Sequence, residues 1–255
     1  MWLSLRCLGS HLLDKVSTAP QIETLFDILD LALADATLAI IFFQDSRRAQ
    51  QEAECGPAES HHDATSERLA ALARDLAEST GEELTAAVES MLSVQMDRVA
   101  TEIYVRRVPF LHARSFVFAL DQIAKTFRVL VDMDGLPASA NRNNLTAVLE
   151  EWNNVFPHLK GLRDTAHHVE DRVRGVGRNG KPLELKAVNA PGIQAAERTA
   201  IFIDMLDGDD VYSGTFANGE YGGVPVTLAS LDVAVSCVRR FVGAFVWDEG
   251  SRRIR

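Results

Sequence analysis

Leu162-Arg163-Asp164-Thr165-Ala166-His167-His168-Val169-Glu170-Asp171-Arg172 is the one stretch where side chains able to move protons and hold phosphate crowd onto a single segment. Apolar residues recur around it at Leu159, Leu162, Ala166, Val169 and Val173. Those spacings of three and four predict one helix with one buried stripe. On that helix Arg163, His167, Glu170 and Arg174 line one flank of the stripe, and Asp164, His168 and Asp171 lie further round. An Arg offers a planar fork of donors to a phosphate. A His exchanges a proton near neutral pH. Arg163 and His168 stand about 140° apart around the axis. That is awkward for a direct pair, but the long Arg side chain lets both line one groove. The bland alternative is a helix surface of solvated ion pairs, each worth a few tenths of a kcal/mol.

Working outward, the same 3.6-residue period predicts helices along most of the chain. Residues 21–48 form the first, with Pro20 near its start, Ser17 or Thr18 as cap, and Leu25, Ile28, Leu29, Ala32, Ala36, Leu38 and Ile41 as its apolar face, which Ile40-Ile41-Phe42-Phe43 widens into an end expected to be buried on several sides. A polar loop with Gly56, Pro57 and Ser60 comes next, and His61-His62-Asp63 are read there as loop and cap residues, since a metal needs three or four converging ligands. A second helix starts at Asp63 or Thr65 and runs to Ser79. Thr80-Gly81-Glu82-Glu83 is a capping box for a third, through Ile103, which Pro109 breaks or kinks. A fourth runs from Phe110 to Asp132, and Asp134-Gly135-Leu136-Pro137 marks a turn. Asn141 to Asn144 lead into a fifth helix through Trp152, and Pro157 separates it from, or kinks it into, the helix of the opening stretch.

Gly175-x-Gly177-x-x-Gly180 ends that helix. It matches a dinucleotide fingerprint only as a string, because a helix precedes it where a strand is required. From Thr199 the period changes to alternation, punctuated by the turn pairs Asp207-Gly208 and Asn218-Gly219. Residues 200–226 are therefore expected as a small antiparallel β-hairpin insertion, peripheral to the bundle. Thr227 or Ser230 then caps a last helix, Leu231 to Trp247. The fold class expected is mainly α, a single helical-bundle domain over residues 1–255 with that hairpin before its last helix.

The 255 residues carry a net charge of −10, unevenly spread. Residues 1–100 hold 7 Lys and Arg against 17 Asp and Glu, and residues 101–255 hold 19 of each. The helical part within residues 1–60 is acidic, and a general basic footprint for nucleic acid is absent. Arg106, Arg107, Arg114 and Arg128 make one stretch locally basic, most simply as helix surface, and Arg172, Arg174, Arg178 and Lys181 form the local basic patch beside the His pair. Cys7, Cys55 and Cys237 are widely spaced and odd in number, as in free thiols of a reducing compartment. The apolar run Leu31 to Phe43 is interrupted by Asp35 and is too short to span a bilayer. Met1 to Leu8 make a poor signal peptide. A soluble cytoplasmic protein without membrane contact is expected. No Gly-x-Ser-x-Gly, phosphate-loop or His-Glu-x-x-His string supports the common hydrolase, nucleotide-loop or zinc-protease classes.

Arg163-Asp164-x-x-x-His168 resembles the Arg-polar-x-x-x-His motif of HEPN domains, small helical bundles many of which are metal-independent RNases of toxin–antitoxin and phage-defence systems. The match covers six residues, and a bundle from about Pro20 to Trp247 agrees with it. The resemblance implies a catalytic set in which His168 is general base, Arg163 stabilises phosphate charge and Asp164 orients the pair. It also implies a homodimer that juxtaposes two motifs, an RNA substrate, an antitoxin partner and no metal or other cofactor. His167, Arg172, Arg174 and Arg178 are the candidate substrate-binding residues. Some members carry a Tyr two residues after the His that a partner nucleotidyltransferase modifies; Glu170 stands there, against that form of control. The alternatives are a non-enzymatic helical binding or scaffold protein, including an inactive HEPN relative, and a metal-dependent hydrolase using His167, His168 and nearby carboxylates.

Overall fold

The computed structural model describes residues 17–55, 71, 82–191, 193–207 and 210–247. The His61-His62-Asp63 loop, the helix expected up to Ser79, the cap at Thr80 and Gly208 of the first turn pair lie outside them. Six helices and five short strands make up the described residues, a mainly α chain with its strands before the last helix. No described helix is long and apolar enough to cross a membrane.

Helix α1 runs Ala19–Cys55, seven residues beyond the expected end, and its apolar stripe stays narrow there: Ile40 and Phe43 are buried, whereas Leu38, Ile41 and Phe42 are exposed against expectation. Thr18 starts it through its carbonyl, which accepts from Ile22 N, while its hydroxyl donates to Gly135 O at 2.7 Å. The expected cap side chain thus ties the helix start to the 134–137 turn, where Gly135 takes φ +76°. Helix α2 spans Glu82–Asp132 with Pro109 inside it. The expected third and fourth helices are therefore one. Proline removes a single backbone hydrogen bond, and the apolar stripe from Phe116 to Leu130 carries on regardless.

Two compact units divide the chain, residues 1–41 with 112–255, and residues 42–111. In the second unit the Arg107 guanidinium lies 5.5 Å over the Phe110 ring, and Pro109 is buried. The first unit holds the rest. Helix α3, Arg142–Val155, is capped by Asn141, whose side chain accepts from Asn144 N at 3.1 Å. Helix α6, Leu228–Val242, is capped by Thr227, whose hydroxyl accepts from Ser230 N at 3.2 Å. Such caps are worth about 1 kcal/mol each. Phe127 of α2 joins these helices: its ring stacks on Phe241 of α6 at 4.1 Å and meets Trp152 of α3 edge-on at 5.4 Å. Phe26 of α1 meets Phe245 edge-on at 5.0 Å. Each buried aromatic or branched side chain here stabilises by about 1.5–3 kcal/mol.

The opening stretch is not one helix. Helix α4 covers Leu159–His167 and α5 covers Val169–Val173, with His168 between them at φ −124°, ψ 43°. His168 N divides its bond between Asp164 O and Thr165 O, which marks the end of the α4 ladder. The break shifts the helical phase of residues 169–173. The expected stripe holds for Leu159 and Leu162, but beyond His168 Arg172 is buried and Val173 is 68% exposed.

The strands form two antiparallel sheets. Strands β1 (Val188–Ala190) and β2 (Ile193–Ala195) make a hairpin that alternation did not reveal. Strands β3 (Met205–Leu206), β4 (Val211–Thr215) and β5 (Tyr221–Pro225) lie in that order, with Tyr212 opposite Val224 and Ser213 opposite Gly223. The Asn218-Gly219 turn joins β4 to β5 as expected; Gly219 has φ +82°, and a Cβ there would clash with the backbone carbonyl of Glu184. The three-stranded sheet is not peripheral. Tyr212, Ser213 and Thr215 are buried, and Thr165 of α4 donates its hydroxyl to Thr215 O at 2.8 Å. Gly161 of α4 packs so closely on Phe216 that a Cβ would meet the ring at 2.7 Å. Asp204, at φ +51°, holds both Arg114 of α2 and the Tyr212 hydroxyl. Alternation shows which residues share a strand face, but not how much of that face another element covers.

Candidate functional site

Phe118, Asp121 and Lys125 recur at three and four residues on α2 and so share one side of it. They meet Arg163 and His167 of α4. The His167 ring lies parallel to the Phe118 ring, centroids 5.1 Å apart. Asp121 Oδ2 accepts from Lys125 Nζ at 2.7 Å and from Arg163 Nη1 at 3.2 Å. The Asp121 side chain is only 3% exposed, against 44% for Lys125 and 20% for Arg163. A buried carboxylate costs several kcal/mol unless it is paired and hydrogen-bonded; here two cations meet one oxygen.

Arg163 is held a second time. Its Nε and Nη2 both donate to Asp164 Oδ1, at 2.9 and 2.5 Å. The residue after the arginine therefore grips the Nε–Nη2 edge, while Asp121 takes Nη1. A guanidinium has five N–H donors, so two remain.

His168 stands apart from this network and shares no hydrogen bond or ion pair with Arg163. Its imidazole is 57% exposed, and Nδ1 lies 3.9 Å from Asp171 Oδ2. Asp171 also accepts from Arg174 Nη2 at 2.8 Å. Among the described residues, His168, Glu170 and Asp171 are the one trio whose potential ligand atoms all lie within 4.8 Å of one another. The trio sits on one exposed turn and offers a cation three ligands at most.

The four candidate substrate-binding residues do not share one surface. His167, Arg174 and Arg178 are exposed, the last at the start of the 3₁₀ turn Arg178–Gly180. Arg172 is buried; its Nη1 donates to Val176 O at 2.6 Å and its Nε meets no acceptor. Its guanidinium thus braces the turn after α5.

Asp121 and Lys125 were missed in the sequence. One signal for them existed. Val117, Leu120 and Ala124 surround Asp121 at buried-face spacing on α2, and an acid set among apolar positions asks for a counter-charge. Nothing in the sequence names Arg163 as that partner.

Comparison with family models, with curated proteins and with solved structures finds no match for this chain.

Proposed function

We propose that the chain is a HEPN-like, metal-independent endoribonuclease. The observation that carries this is the grip of Asp164 on the Nε–Nη2 edge of Arg163, the orienting role that the motif resemblance implies for the polar residue after the arginine. The open position of His168 supports the rest. As general base, His168 takes the proton of a ribose 2′-hydroxyl. The 2′-oxygen then attacks the adjacent phosphorus, the bond to the 5′-oxygen breaks, and that oxygen takes a proton as it leaves. The products carry a 2′,3′-cyclic phosphate and a 5′-hydroxyl. Arg163 offsets the charge that builds on the non-bridging oxygens. Base catalysis of this kind contributes roughly 10²–10⁴-fold.

Arg163 and His168 do not touch within one protomer, so this mechanism calls for a homodimer that sets one motif against the other. A place in a toxin–antitoxin or phage-defence system, with an antitoxin partner, belongs to the same proposal. The deciding experiment is cleavage of mixed cellular RNA in EDTA. Wild type should cleave, Arg163→Ala and His168→Ala should not, and His167→Ala should keep reduced activity. Light scattering should show a dimer at tens of micromolar; a monomer that cleaves would remove the two-motif site.

One observation favours a second reading, a non-enzymatic helical binding protein. Two carboxylates already engage Arg163, which is what a purely structural arginine would show. Absence of cleavage under any ionic condition would select it. Cleavage that requires added metal would point instead to the exposed His168, Glu170 and Asp171 trio.

A further inference from the structure

We infer that Lys125 of α2 and Arg163 of α4 form a clamp for a single phosphate group, with the buried carboxylate of Asp121 as its keystone. The inference rests on the ribonuclease reading for its substrate, the phosphodiester of RNA, but the clamp itself stands on geometry. Lys125 Nζ and Arg163 Nη1 both bind Asp121 Oδ2, at 2.7 and 3.2 Å. The two nitrogens therefore lie no more than about 6 Å apart. Charge-assisted bonds of about 2.8 Å from each side span that gap to oxygens of one phosphate.

Donors remain for the task. Lysine has three N–H and arginine five. Asp121 takes one from each, Asp164 takes two from Arg163, and two remain on each cation. Both side chains reach solvent, whereas Asp121 does not. Asp121 also solves a physical problem, since two like charges this close repel unless an anion stands between them. Its burial fixes both cations to the packed interior of α2 and α4. Asp121 is thus a positioning residue, and Lys125 a phosphate-binding residue absent from the sequence motif.

The test titrates the full chain with inorganic phosphate, read by calorimetry or phosphorus NMR, alongside RNA cleavage in EDTA. Lys125→Ala should weaken phosphate binding about tenfold or more. Lys125→Arg should recover most of it. Arg142→Ala, an exposed cation on α3, should match wild type. In cleavage, Lys125→Ala should raise KM about tenfold with kcat nearly unchanged, the sign of lost ground-state binding. Lys125 is a partly exposed helix residue, so its variants are expected to fold, which circular dichroism checks. No phosphate binding by wild type, or equal binding by wild type and Lys125→Ala, overturns the clamp. Lys125-dependent phosphate binding without RNA cleavage supports the clamp and removes the ribonuclease. Cleavage whose KM ignores Lys125→Ala keeps the ribonuclease and removes the clamp.

Discussion

Arg163 and Asp121 lie 42 positions apart in the chain and meet at 3.2 Å through Nη1 and Oδ2, with Asp121 shut off from solvent. The pair fastens the one motif-bearing helix of the chain to α2. It ties one side of the Arg163 guanidinium to the core, while Asp164 holds the other edge.

The energy of that link should appear as coupling. In a double-mutant cycle with Asp121→Ala and Arg163→Ala, urea unfolding should give an interaction energy of about 0.5–3 kcal/mol. Asp121→Ala alone should cost about 1–3 kcal/mol, below the largest buried-pair values because both cations are partly exposed. Additive losses would show that the two side chains are adjacent but uncoupled.

Gly161→Ala sets two effects against each other. An alanine gains about 1 kcal/mol of helix propensity. The added methyl meets the Phe216 ring at 2.7 Å, and overpacking of this kind costs about 1–3 kcal/mol. The clash should win, lowering the thermal midpoint by several degrees. In a Phe216→Ala background the sign should reverse. If Gly161→Ala stabilises the wild-type chain, the α4–sheet contact is looser than described.

The three-stranded sheet should prove necessary to the helical unit. Replacing residues 200–226 by a short Gly/Ser linker removes Tyr212, Thr215 and Phe216 from the core and strips Thr165 of its acceptor. Circular dichroism should show loss of helix or a much earlier thermal transition. An unchanged helical melt would mean that the segment is an appendage after all.

Cys237 should behave as an inert thiol. Burial is the main reason its pKa lies above the ordinary value, with the Arg240 hydrogen bond opposing it. In a Cys7→Ser/Cys55→Ser background, a disulfide reagent at neutral pH should react at least tenfold more slowly with native than with urea-unfolded chain, roughly in line with a thiolate held back by burial. The folded state holds this proton more tightly than the unfolded state. Its contribution to stability is therefore complete below the ordinary thiol pKa and is lost as pH rises through the raised one. Above about pH 9 the stability of this background should fall more steeply than that of its Cys237→Ala derivative. Parallel curves would show that the thiol plays no part in the alkaline loss.

By itself the sequence determined the mainly α class, a cap for the last helix at Thr227 or Ser230, the Asn218-Gly219 turn and the β segment before the last helix. Those features are local: an apolar period, a capping oxygen or a glycine at positive φ acts within a few residues, so residue order suffices to reveal it. Pro109 warned of a break that the long apolar stripe of α2 overrode. The helix break at His168 had no breaker residue to announce it, and with it went the expected exposure of Arg172 and burial of Val173. Tertiary structure alone decided that Asp121 and Lys125 stand beside Arg163, that His167 lies against Phe118 and that β4 enters the core. A charge buried in one helix can be paired by any cation that packing brings near. That choice depends on how α2 and α4 dock, a relation between residues 42 positions apart that no local period encodes.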